Sequence, residues 1–88
     1  MPIAELSALE RIARVLAAER LSINAEGYGT STSHEVDAEW HLYLGQAAAV
    51  LRTLREPDIV MADAGDPEIW RAMVEAALAD LEADPSQD

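Results

Sequence analysis

The chain has 88 residues and a mass of 9.5 kDa, which is enough for one small domain with a thin core. Half of its residues are hydrophobic, which excludes a disordered chain, and it has no cysteine, which excludes disulfides and thiolate-bound zinc. Seventeen acidic residues against six basic ones give a net charge of −11, which opposes direct binding to nucleic acid or to an anionic membrane.

The first predicted helix runs from about residue 3 to residue 21, with Pro2 near its first turn. Its apolar residues recur at steps of three and four: Leu6, Leu9, Ala13 and Leu16. This spacing is typical of an amphipathic helix with one buried face. Residues 22–33 lose the periodicity and are rich in glycine, serine and threonine, so we predict a long loop there.

A second helix is predicted from near Thr32 to the residue before Pro57, because Thr32 and Glu35 have the spacing of a capping box and proline stops a helix. Its apolar positions form two neighbouring rows, one of Val36, Trp40, Tyr43, Ala47, Val50 and Leu54, the other of Leu44, Ala48 and Leu51. Together they make a face wider than one neighbouring helix would cover. The small residue Gly45 would let another helix approach closely.

Residues 58–64 predict a short helix with Ile59 turned inward, followed by a left-handed cap at Gly65. The start of the last helix is predicted by Asp66-Pro67-Glu68, which supplies a capping carboxylate, a proline at the first position and a negative charge at the positive end of the dipole. The apolar face of this helix is expected to contain Trp70, Met73, Ala77 and Leu81, and residues 84–88 form an acidic tail.

The sequence therefore predicts one all-α domain over residues 1–88, a small bundle of three main helices and one short helix with a long loop between the first two. Trp40, Tyr43, Trp70 and Met73 are expected as anchors of its core. Negative charge is concentrated near the C-terminus, since residues 58–88 contain nine carboxylates and one arginine.

A set of spaced residues carries a resemblance to known proteins. The set is Trp40-x2-Tyr43-x3-Ala47, then Val50-Leu51-x2-Leu54-x-Glu56-Pro57, Met61 and Gly65, followed by Ile69-Trp70-x2-Met73 and Ala77-Leu78. This half of the chain resembles a group of small proteobacterial proteins, some of them phage-associated, that share a W-Y-A-L-EP-M-AG signature and have no assigned activity. The resemblance implies a helical fold and no particular chemistry.

The residues that most suggest chemistry are His34, Asp37 and His41. On a continuous helix the three could share one face and bind a divalent ion, which would make the protein a small metal-dependent enzyme. However, Ala38 stands where a zinc-protease motif would need its second histidine. Carboxylates are also favoured in the first turn of any helix, so we predict an ordinary helix start without metal.

Two further patterns are weaker. Gly27-x-Gly29 lacks the lysine and the preceding strand of a phosphate-binding loop. Ser31, Ser33, His34 and Asp37 include the residue types of a hydrolase triad, but they lie too close together in sequence, and no nucleophile-elbow motif surrounds either serine. We therefore predict no catalytic residue and no cofactor.

The leading expectation is a non-enzymatic helical interaction module that forms a symmetric homodimer, because the chain is too short to cover the wide apolar face of its second helix. The candidate interface residues are Val36, Tyr43, Leu44, Ala48 and Leu51. An alternative is an acidic decoy that imitates DNA phosphates and binds a nucleic-acid-binding protein. With no leader pattern at residues 1–3 and no long apolar run, a cytoplasmic location without membrane contact is expected.

Overall fold

The computed structural model describes residues 3–24 and 32–82, and every regular element in those two ranges is helical. The α-helices are α1 (Ala8–Asn24), α2 (Thr32–Glu39), α3 (Leu44–Leu54), α4 (Ile59–Ala64) and α5 (Pro67–Glu82). A 3-10 turn at Trp40–Tyr43 joins α2 to α3. The expected all-α class, with three main helices and a short one, is confirmed.

Helix α1 is the centre of the bundle, since it packs against α2, the 3-10 turn, α3 and α5. It begins later than predicted, because the Ser7 hydroxyl accepts a hydrogen bond from the Glu10 amide at 3.0 Å and so caps the helix. It also ends three residues later than the predicted residue 21, at Asn24. Pro2 and residues 25–31 lie outside the described residues.

The predicted second helix is interrupted. Glu39 and Tyr43 have φ angles of −118° and −103°, and the 3-10 turn lies between them. Because residues three apart eclipse in a 3-10 helix, Trp40 and Tyr43 both point toward the core and are half-buried against it. The proposed cap at Thr32 depends on a side chain outside the described set.

The hydrophobic core is small and rich in alanine, which lets α1, α3 and α5 approach closely. Its buried members are Leu9, Ala13, Ala47, Ala48, Leu51 and Val74, packed by partly buried side chains that include Trp40, Tyr43 and Trp70. Leu9 is the largest side chain that is fully buried, at 2% exposure. Trp40, Tyr43 and Trp70 therefore anchor the core as predicted. Met73 does not, because α5 turns Val74 inward instead.

Hydrogen bonds between residues close in sequence cap the starts of α4 and α5. The Asp58 carboxylate accepts from the Met61 amide at 3.0 Å and caps α4, while Asp66 accepts from the Glu68 amide at 2.9 Å and caps α5 as predicted. Gly65 is extended, with φ −160°, so the predicted left-handed cap is wrong; the Asp66 cap begins the next helix without it. Ile59 points to solvent, contrary to expectation.

Candidate functional site

The five residues predicted for the dimer interface lie in or against the core of the single protomer. Val36, Ala48 and Leu51 are buried, and Tyr43 and Leu44 are half-buried. The 3-10 turn shifts the phase of the helix and turns these five residues inward. They therefore offer little area to a partner. The apolar surface that is free on this part of the chain therefore consists of different residues.

The free surface here is the outward face of α3 together with Leu42 of the preceding 3-10 turn, and we call it the uncharged face. Its members are Leu42, Gly45, Gln46, Ala49, Val50 and Thr53, all exposed. At about 100° per residue they project away from the side that holds Ala47, Ala48 and Leu51. Leu42 is 69% exposed, and a Cβ added at Gly45 would meet no atom within 4 Å. None of these six residues is ionisable, although exposed Arg52 borders them next to Gly45 and Ala49 and the protein as a whole is strongly acidic.

A second free surface is a groove between α4 and α5, with a volume of about 330 Å³. Its walls include Met61, Ala64, Asp66, Ile69, Trp70 and Met73. Ile69 is 59% exposed and Met73 is 62% exposed, while no residue of α4 is buried. The α4–α5 groove is therefore apolar and open, and α4 forms only its edge.

The indole of Trp70 forms the inner wall of the α4–α5 groove and fixes its position. The Trp70 Nε1–H donates a hydrogen bond to the Leu54 carbonyl oxygen at 2.7 Å. That carbonyl is one of the last four of α3, which have no partner within the helix. One bond therefore satisfies both the indole and the end of α3, and it ties α5 to α3.

A polar cluster around Arg14 joins α1 to α2. Its guanidinium donates to the Asp37 carboxylate at 2.7 Å and to the Glu10 carboxylate at 2.9 Å, and it lies over the Trp40 ring at 5.4 Å. The hydrogen bonds that Arg14 donates, first to Asp37 and second to Glu10, hold the pKa of Arg14 above its ordinary value. Arg14 is therefore a charged clamp between α1 and α2.

The predicted metal-ligand candidates are not brought together. His34 and His41 are both exposed, the latter edge-on to Trp40, while Asp37 is engaged by Arg14. Within residues 3–24 and 32–82, no group of three potential ligands is placed to hold an ion. The glycine pair at 27 and 29, and the side chains of Ser31 and Ser33, lie outside the described residues.

Sequence reasoning missed both free surfaces. The α4–α5 groove depends on where two helices cross, which no local pattern encodes. A signal for its α5 wall was nevertheless present: Asp66, Ile69, Met73, Ala76 and Asp80 follow one another at steps of three, four, three and four. This second stripe runs beside the one that faces the core.

Comparison with protein-family models, curated proteins and solved structures found no match. The resemblance to small phage-associated proteobacterial proteins therefore stays a prediction. In the part of the chain that the structure describes, no helix combines the length and the apolar character needed to cross a bilayer. Functional conclusions consequently rest on the two free surfaces.

Proposed function

We propose that the protein is a non-enzymatic helical interaction module that forms a symmetric homodimer through the uncharged face of α3. The observation that carries the proposal is the contrast between this face and the rest of the molecule. Two copies with a net charge of −11 each repel one another, so a stable self-contact needs a surface without carboxylates. The uncharged face meets that condition.

Packing chemistry also supports this face. Gly45 and Ala49 are four residues apart and exposed, so the same helix of a second copy can approach their backbone closely. Leu42 and Val50 flank them and supply apolar area that a two-fold contact would cover. We therefore keep the proposal of a homodimer, but we assign its contact to the exposed uncharged face instead of the predicted interface residues, which are buried or half-buried.

The test is the molar mass measured by size-exclusion chromatography with light scattering. At tens of micromolar the wild-type protein is expected at twice 9.5 kDa. Ala49→Glu places two like charges across the two-fold contact and is expected to give the monomer mass with unchanged helical circular dichroism. The matched control is Val15→Glu on α1, a site 61% exposed and away from the face, which should leave the dimer intact.

Ionic strength gives a second readout of the same proposal. Salt screens the repulsion between two acidic protomers, so the dimer should become tighter as salt rises. A wild-type protein that stays at 9.5 kDa across this concentration and salt range would defeat the proposal.

A second candidate is the acidic decoy, which one observation favours. The described carboxylates from residue 58 onward are all exposed: Asp58, Asp63, Asp66, Glu68, Glu75 and Asp80. A decoy must lose its partner steeply as salt rises, so a pull-down from lysate at low and high salt tests it.

For either candidate we propose the cytoplasm as the compartment, which suits a chain without cysteine.

A further inference from the structure

The α4–α5 groove takes no part in the proposed dimer, and its α5 wall has a definite pattern. Ile69 and Met73 form an exposed apolar pair one turn apart, and Ala76 continues the same row. Asp66 and Asp80 stand at the two ends of that row, both exposed. The fourteen-residue separation of the two aspartates corresponds to about 21 Å along the helix axis.

This pattern excludes a second copy of the chain as the natural occupant. If α5 paired with α5 of another protomer in parallel, Asp66 would face Asp66 and Asp80 would face Asp80. In antiparallel pairing, Asp66 would face Asp80. Every symmetric arrangement therefore sets carboxylate against carboxylate at both ends of the contact, which is unfavourable.

The same pattern is complementary to a helix of opposite charge. Two thioether side chains, Met61 of α4 and Met73 of α5, line the α4–α5 groove, and methionine adapts its shape to varied apolar partners. Trp70 closes the inner wall and adds apolar area. An amphipathic helix laid along α5 would cover these groups with its apolar face and place cationic residues near the two aspartates.

We propose that the α4–α5 groove binds a basic amphipathic helix of another protein. The partner helix carries two large apolar side chains one turn apart, which cover Ile69 and Met73. It carries lysine or arginine about one turn from this pair on the side of Asp66 and about two turns from it on the side of Asp80, and these cations pair with the two aspartates. The apolar pair supplies most of the affinity, and the aspartates set orientation and speed of encounter.

The probe is a fluorescently labelled amphipathic peptide of about 18 residues, made of leucine and lysine at helical spacing. Binding to the full-length protein is followed by fluorescence anisotropy. Two peptides serve as controls: one with glutamate replacing each lysine, and one with the same leucines and lysines in scrambled order. The first tests charge complementarity, and the second tests whether an apolar face is needed.

The protein variants separate the α4–α5 groove from the general acidity of the molecule. Met73→Ser should weaken peptide binding about tenfold, since it removes one large apolar contact. Asp80→Asn should reduce the salt dependence of binding. Ile59→Ser is the matched control, because Ile59 is 77% exposed on α4 and lies outside the groove walls; it should leave binding unchanged. Circular dichroism confirms that each variant is folded.

Tight binding of the leucine–lysine peptide, lost with Met73→Ser and kept with Ile59→Ser, supports the proposal. Three results overturn it: no binding of this peptide, equal binding of the scrambled peptide, or equal binding of the glutamate peptide. A drop in the molar mass of the protein caused by Met73→Ser would assign the groove to self-association and would overturn it as well. Because the proposed dimer uses another surface, Ala49→Glu should leave peptide binding intact whichever way the dimer test falls.

Discussion

Truncation of Leu9 to alanine tests the core from which both free surfaces project. Leu9 is the largest fully buried side chain, and three of the five other members of its buried cluster are alanines, Ala13, Ala47 and Ala48. Short side chains cannot move in to fill the space that a removed isobutyl group leaves. The loss should therefore lie well inside the usual range for buried leucine, at about 3 kcal/mol of unfolding free energy.

A loss of that size is large for a domain whose total stability is roughly 5–10 kcal/mol. It should lower the melting temperature by roughly 15 °C and shift the urea midpoint with little change in slope. The assay is urea and thermal unfolding followed by far-UV circular dichroism, with all variants at one protein concentration because self-association stabilises the fold.

The matched control is Val15→Ala on the same helix, where the side chain is exposed. Its effect should stay within about 0.5 kcal/mol. If Leu9→Ala costs less than about 1 kcal/mol, or if Val15→Ala costs as much as Leu9→Ala, the assignment of the buried face of α1 would be refuted.

Other substitutions test single features, each by the same unfolding assay. Trp70→Phe removes the hydrogen bond to the Leu54 carbonyl and should cost about 0.5–1.5 kcal/mol, whereas no loss would show that the bond does not stabilise the α3–α5 contact. Asp66→Ala removes the cap of α5 and should cost about 1 kcal/mol, and Asp66→Asn should restore most of it, because asparagine also caps. Gly45→Ala should stabilise the protomer by roughly 0.5–1 kcal/mol, since a Cβ there meets nothing. Because it also adds bulk to the uncharged face, it should weaken the proposed dimer, and an unchanged dissociation constant would argue against a close α3–α3 approach.

The sequence predicts the start of a helix where the capping side chain and the amides that it binds are close together in sequence. The Asp66-Pro67 pair marks the start of α5, and Asp58 marks the start of α4, because an aspartate needs only the amides two or three residues ahead. Ser7 and Glu10 have the spacing of a capping box and could have placed the start of α1 in the same way. The prediction of a left-handed cap at Gly65 was wrong because a glycine after a helix allows left-handed backbone but does not require it.

The facing of helices was harder to read, for two physical reasons. The 3-10 turn advances the chain by three residues per turn instead of 3.6, so Val50 and Leu54 at the end of one predicted row turn outward, while Ala48 and Leu51 of the neighbouring row turn inward. In α5, two apolar stripes lie side by side, and periodicity alone does not say whether Met73 or Val74 is buried. Tertiary packing against α1 and α3 selects Val74.

The candidate surfaces follow from these two choices. The uncharged face exists because the rotation of α3 leaves Ala49 and Val50 outside, and the α4–α5 groove exists because α5 leaves Ile69 and Met73 outside. The composition and charge of the sequence predict which regions of the chain are acidic and which are uncharged. The placement of helices relative to one another, which depends on contacts distant in sequence, gave the rest.

The attachment of α2 has a consequence for how the molecule opens. This eight-residue helix has one buried apolar side chain among those described, Val36, and its Asp37 pairs with Arg14 of α1. Although its backbone lies close to α1, an element that buries so little apolar surface lies at the low end of the local stability scale. Amide protons of α2 should therefore exchange with solvent through partial opening, well before those of α1, whose protection reports global unfolding.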